Sequence, residues 1–273
     1  MIETLSLFRP LNQKLVSLLN ILSKEDWNRM TVAGKWTVKD VVAHLLDGNI
    51  RFISIYRDGL SVTPDMEINS YKDLVSYLNK LNGDWVRAMK RVSPDVLMAM
   101  HLHTHQDYVI CLEKLDLNAP ANFGVAWAGE DVSLNWFHIA RDYTEKWHHQ
   151  QQIRDAVGQP GILTKEFYKP VLNTFMRALP HTYKDLEAPV GTNIEVIVNS
   201  DAGGKWRIEK TEDKWILADR PISKPTVKIS MPADLSWKLF TKAVQYENVK
   251  SLISIEGDEF LALPALKMIT VTA

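Results

Sequence analysis

The feature that most constrains this 273-residue chain is a single change of hydrophobic period near residue 190. Upstream, apolar residues recur every three or four positions, the spacing of one helix face. Downstream, TNIEVIVNS, KWRIEKT and KWILA alternate with period two, and DAGG and TED lie between them as turns. TVKIS reads as a further strand, ADLSWKLFTKAV as a helix, and GDEFLALPALKMI as a closing helix interrupted at Pro264. The fold expected is multidomain α and α+β: an all-helical domain over residues 1–180, then a small α+β domain over 190–273.

The longest helical pattern, residues 130–158, carries the chemistry. Side chains four apart stack on one helix face, so His138, Asp142, Glu145, His149 and Gln152 form one stripe. Trp136, Ile139, Tyr143, Ile153 and Val157 form an apolar arc beside it. The ionisable stripe is therefore expected at the margin of the buried side, where a cleft would open. Glu145 and His149 can direct a carboxylate and an imidazole at one ion, although such pairs also arise by chance in long helices. His148 points away from the apolar arc and reads as a surface residue.

Other helices are expected on either side of that long one. Leu5, Phe8, Leu11, Leu15, Leu18 and Leu22 keep helical spacing despite Pro10. Thr37 and Asp40 make a capping-box-like start to a second, whose seam is Val41, Leu45, Phe52 and Tyr56, with Gly59 as its stop. His44 lies on the edge of that seam. It is either a core histidine bonded to a carbonyl or a ligand, and Gly48 one turn on leaves room above its ring. Residues 68–92 give a third helix, capped by Asn69 or Ser70 and broken by Pro94. Between 95 and 115, His101, His103 and His105 would share a face on a strand and spread apart on a helix; a helix or a cleft-lining loop fits the helical surroundings better. A further helix is expected over 164–178.

A formal charge of −1 gives no footprint for nucleic acid, and no run of about 18 uncharged apolar residues suggests a membrane span. The start MIETLSLFRP shows no signal-peptide pattern, and the single Cys111 excludes an internal disulfide, so the cytoplasm is expected. The nine tryptophans read mostly as core.

With these residues in hand, WTVKDVVAHLLDG (36–48) followed by YTEKWHHQQQIR (143–154) resembles the DinB-like four-helix bundles. Within them it is most similar to the mycothiol-dependent maleylpyruvate isomerase branch, which has Glu in place of the first histidine of an H-x-x-x-H pair, as at Glu145. The stretch from NIEVIVNS to ISIEGDEFLALPAL is similar to the sterol-carrier-like domain of that branch. The resemblance implies that His44, Glu145 and His149 ligate one divalent metal, zinc by expectation, with a low-molecular-weight thiol as second cofactor. Two nitrogens and one carboxylate leave zinc an open position, the catalytic pattern. Arg51 could pair with a substrate carboxylate, or be a solvated surface arginine. His138 or Asp142 could orient a ligand imidazole. In the C-terminal part, Arg207 and Arg220 are candidates only as basic residues.

Three functions follow. One is a metal-dependent isomerase or S-transferase acting, with the thiol, on a small unsaturated or electrophilic acid. Another is a non-enzymatic metal-binding protein of stress response or detoxification, and the third a carrier of an apolar ligand. The partners implied are small molecules, and a homodimer is left open.

Overall fold

A computed structural model describes residues 1–218 and 224–271. The chain forms two compact units, each discontinuous in sequence. One comprises Leu5–Leu117 and Glu145–Gly161; the other comprises Met1–Thr4, Asn118–Thr144 and Ile162–Val271.

The first unit is helical. Helix α1 (Phe8–Leu19) buries Phe8, Leu11, Leu15, Leu18 and Leu19, and tolerates Pro10 because the first turn has no helical use for that N–H. Helix α2 (Val38–Tyr56) starts from a complete capping box, Thr37 with Asp40, and the Asp40 carboxylate also holds Lys90 at 2.7 Å. Helix α3 (Tyr71–Met89) is capped by Ser70, and its Trp85 indole donates to the Ala43 carbonyl of α2 at 2.8 Å. Pro94 does not merely end α3. It is the first residue of α4 (Pro94–Glu113), where its locked φ suits a helix start. The histidine trio is therefore helical: His101 and His105 are buried on one face with rings 5.9 Å apart, and His103 is exposed. Leu15, Leu18, Val38, Val41, Val42, Leu46, Leu97 and Ile153 share the core, Ile153 coming from the second half of α5 (Asn135–Val157).

Helix α5 begins five residues later than its periodicity suggests. Leu134 forms an isolated bridge with Pro120, and the Ser133 hydroxyl bonds the Val125 amide and the Glu130 carboxylate, which holds residues 130–134 outside the helix.

The second unit holds α6 (Lys165–Phe175), the single turn α7 (Leu179–Thr182) and a five-stranded sheet. Its strands are β1 (Asn193–Asn199), β2 (Gly204–Lys210), β3 (Trp215–Leu217), β4 (Val227–Pro232) and β5 (Ser254–Glu256), in the order β3-β2-β1-β4-β5. β1 pairs antiparallel with β2 and parallel with β4, so Ile194 and Val196 stand beside Ile208, Val227 and Ile229 on one apolar face. Helices α8 (Ala233–Phe240) and α10 (Glu259–Leu266) contact β1 and β4; the single turn α9 (Tyr246–Val249) lies between them in sequence. The three residues of β5 are too few to show a period of two, which is why the sequence conceals that strand. Pro264 does not interrupt α10; the N–H it lacks would have reached the carbonyl of the exposed Phe260. Among the described residues, no helix is long and apolar enough to cross a membrane.

Candidate metal centre

The second half of α5 brings three donors together, and the middle of α2 sets the His44 ring beside one of them. Glu145, His148 and His149 each place one ligand atom within 4.8 Å of the others. A Glu145 Oε2 lies 3.7 Å from His149 Nε2 and 3.6 Å from His148 Nδ1, and the two imidazole rings are 3.9 Å apart. Spacings of three and four along a helix produce this convergence.

His149 Nδ1 lies 2.8 Å from Gln152 Oε1. An amide oxygen only accepts, so Nδ1 carries the ring proton and Nε2 presents a lone pair toward Glu145. The 3.7 Å separation is thus two electron pairs facing each other, not a hydrogen bond. Two ligands on a tetrahedral zinc-class ion stand about 3.4 Å apart when each bond is about 2.1 Å.

His44 approaches from α2. Its ring lies 4.6 Å from that of His149, edge-on at 79°, and 4.9 Å from Trp36 on another side. Its Nδ1 is buried without a hydrogen-bond partner. A buried ring nitrogen left so is costly, and a cation would satisfy it in the tautomer that carries the proton on Nε2. Burial, reinforced by the neighbouring His149, Arg51, Lys146 and His148, pushes His44 well below the usual histidine range. Burial likewise brings His149 to about 3. Both imidazoles are therefore neutral near pH 7, the state that ligates metal. Imidazoles with a carboxylate suit zinc and its neighbours better than calcium or magnesium.

Three expectations need correction. The stripe on α5 is not marginal: His138, His149 and Gln152 are buried, and only Asp142 and Glu145 are half-buried. His148 is not a surface residue; it is 4% exposed and belongs to the donor cluster. The assumption of a single apolar arc hid it, because α5 is buried on nearly every side. Nor does Gly48 leave room for a ligand: a Cβ there would lie 3.2 Å from the Lys146 ammonium.

Arg51 stands seven residues, two turns, beyond His44 on the same face of α2. Its Nε pairs with Asp47 at 3.0 Å and its Nη2 reaches Asn82 Oδ1 at 3.4 Å, with about two fifths of the side chain exposed. On the first half of α5, Asp142 pairs with Arg141 at 3.2 Å, and the His138 ring lies 6.4 Å from Phe123. Arg207 is paired across β1 and β2 with Glu195. Arg220 lies outside the described residues.

A helical bundle bearing imidazole and carboxylate donors, followed by a five-stranded α+β region, defines the class of protein. The family profile described as mycothiol maleylpyruvate isomerase N-terminal domain matches residues 8–154, more than half of the chain. The chain belongs to that family, the maleylpyruvate isomerase branch of the DinB-like proteins. Two solved structures share its fold. A mycothiol-dependent maleylpyruvate isomerase aligns with a TM-score of 0.54 at 11% identity, over 86% of each chain. A histidine-to-alanine mutant of the mycothiol-dependent maleylpyruvate isomerase aligns with 0.57 at 10% identity, over 92% of this chain and 91% of the other. A search of curated proteins finds no match.

Proposed function

We propose that the chain is a metal-dependent enzyme that uses a low-molecular-weight thiol to isomerise, or transfer sulfur to, a small unsaturated acid. His44, Glu145 and His149 would hold the divalent ion, zinc by donor set. The observation that carries this reading is the facing pair of lone pairs on Glu145 and His149, 3.7 Å apart, with the buried His44 ring 4.6 Å from that of His149. A zinc-class ion, when bound, favours the thiolate form of a thiol near neutral pH. Gln152 fixes the tautomer of His149, and burial keeps the imidazoles neutral. Arg51, held by Asp47 and Asn82 but still partly exposed, is the cation offered to a substrate carboxylate. For isomerisation, the thiol sulfur adds to one alkene carbon and a proton to the other. Rotation about the new single bond and loss of the same thiol give the other isomer, with no net oxidation. The family profile and the mycothiol-dependent neighbours support a thiol as the co-reactant.

His148 favours one second reading, a non-catalytic metal protein. The three donors that stand within 4.8 Å of one another are Glu145, His148 and His149, and with the ring of His44 4.6 Å from that of His149 a fourth ligand would close a tetrahedral sphere, the structural pattern. One set of measurements separates the two. Zinc content is expected near one ion per chain, lost in His44→Ala and His149→Ala and retained in His148→Ala. The zinc-loaded protein is then assayed with mycothiol and other cellular thiols against maleylpyruvate and related cis-unsaturated acids. Metal lost from His148→Ala, with no turnover for any thiol, would establish the closed site instead.

A further inference from the structure

The observations reach furthest at Lys146, which follows Glu145 on α5 but serves α2. Its ammonium donates to Asn49 Oδ1 at 2.6 Å and to the Leu45 carbonyl at 3.1 Å. It also lies 4.6 Å over the Tyr108 ring of α4. Asn49 is fully buried, and its amide nitrogen donates to Thr104 of α4 at 3.2 Å. One cation thereby joins three helices at the level of the donor cluster. Leu45 and Asn49 bracket Gly48 and follow His44 within about a turn and a half, so whatever fixes them against α5 fixes His44 against Glu145 and His149. Gly48 is the matching feature on α2, since a Cβ there would stand 3.2 Å from the ammonium, close enough that one of the two would have to give by a few tenths of an ångström.

We propose that Lys146 is a positioning residue that sets the register of α2 on α5, and that Gly48 exists to admit it. The proposal rests on the reading that His44, Glu145 and His149 hold one metal ion. A ligand displaced by a fraction of an ångström leaves the productive geometry, whereas the packing of the apolar core need not change.

The test uses Co2+ as probe on the full chain, reading affinity by chelator competition and site geometry by the visible absorption of the bound ion. Lys146→Ala is expected to weaken Co2+ binding about tenfold or more, the usual scale for groups that orient ligands from outside the coordination sphere, and to alter the spectrum. Gly48→Ala is expected to weaken binding when Lys146 is present and to add nothing in the Lys146→Ala background. Urea unfolding of each metal-free variant identifies any that fail to fold; Gly48→Ala then stands in for Lys146→Ala. Wild-type affinity and spectrum in Lys146→Ala, or full additivity of the two substitutions, overturns the clamp alone. A wild-type protein that takes up no Co2+ overturns the metal reading and the clamp with it.

Discussion

Replacing Gln152 with leucine should weaken metal binding while leaving every proposed ligand in place. In the structure the Gln152 carbonyl accepts from His149 Nδ1 at 2.8 Å, both residues being buried. That bond selects the tautomer whose Nε2 lone pair faces Glu145. Without it, the Nε2–H tautomer becomes available and can donate toward the Glu145 carboxylate, 3.7 Å away, which closes the gap an ion would use. The orphaned buried N–H of the metal-bound state costs about 1–3 kcal/mol. At 1.4 kcal/mol per factor of ten, affinity should fall about five- to a hundredfold. Gln152→Glu is the control in the other direction. A carboxylate accepts from Nδ1 more strongly, so binding should hold or tighten. Zinc competition against a chromogenic chelator measures both variants, and thermal unfolding without metal checks the fold. If Gln152→Leu binds zinc as tightly as wild type, the tautomer argument is wrong.

Arg51→Lys, assayed on a carboxylate substrate, should raise KM about tenfold with little change in kcat or zinc content; unchanged KM would remove Arg51 from substrate binding. Part of the acid sensitivity should come from α4: burial first, then Lys146 and Arg9, holds His105 at about 3 against 6.5 in the unfolded chain. Between those values the unfolded state binds the extra proton, so the stability contributed above pH 6.5 drains away as pH falls. At pH 5 the loss from this one group is at most about 2 kcal/mol, and urea unfolding of His105→Leu should show a correspondingly flatter pH profile than wild type. Thr37→Ala removes the cap from the helix that carries His44 and should cost about 1 kcal/mol by denaturant midpoint; no measurable loss would deny the capping box an energetic role.

How far these features were legible in the sequence depends on how local their causes are. The helix-to-strand step shows directly in the period, because the last helix before the sheet ends at Thr182 and the first strand opens at Asn193. The Thr37 cap was legible because it needs only residues three apart. The convergence of Glu145 and His149 was equally legible, as one helix imposes it. His44 needed a resemblance, since its approach to His149 depends on how α2 packs on α5, which no spacing encodes. His148 and Gly48 were misread for the same reason. A rule that assigns one buried face to a helix cannot foresee a helix enclosed on nearly all sides, nor a lysine from a distant segment crossing a glycine.

That enclosure explains why α5 can be polar and still central. Its run of His148, His149, Gln150, Gln151, Gln152 and Arg154 is buried, against the usual preference of such residues for water. Burial is tolerable where the groups find partners. Gln152 takes His149; Arg154 donates to the carbonyls of Lys14, Gln159 and Pro160 at 2.9–3.2 Å. The Gln150 amide, oriented to its neighbours, donates to the Leu11 carbonyl and accepts from Arg154 and the Leu15 amide. Gln151 Oε1 is the exception, buried without a partner; the bonded part of such a network is directional and resists sliding, which an apolar seam does not. Helix α5 therefore fixes its own rotation as well as its depth, and rotation is what decides whether Glu145 and His149 face His44. The polar run outside the donor cluster is, on this argument, part of how the cluster is aimed.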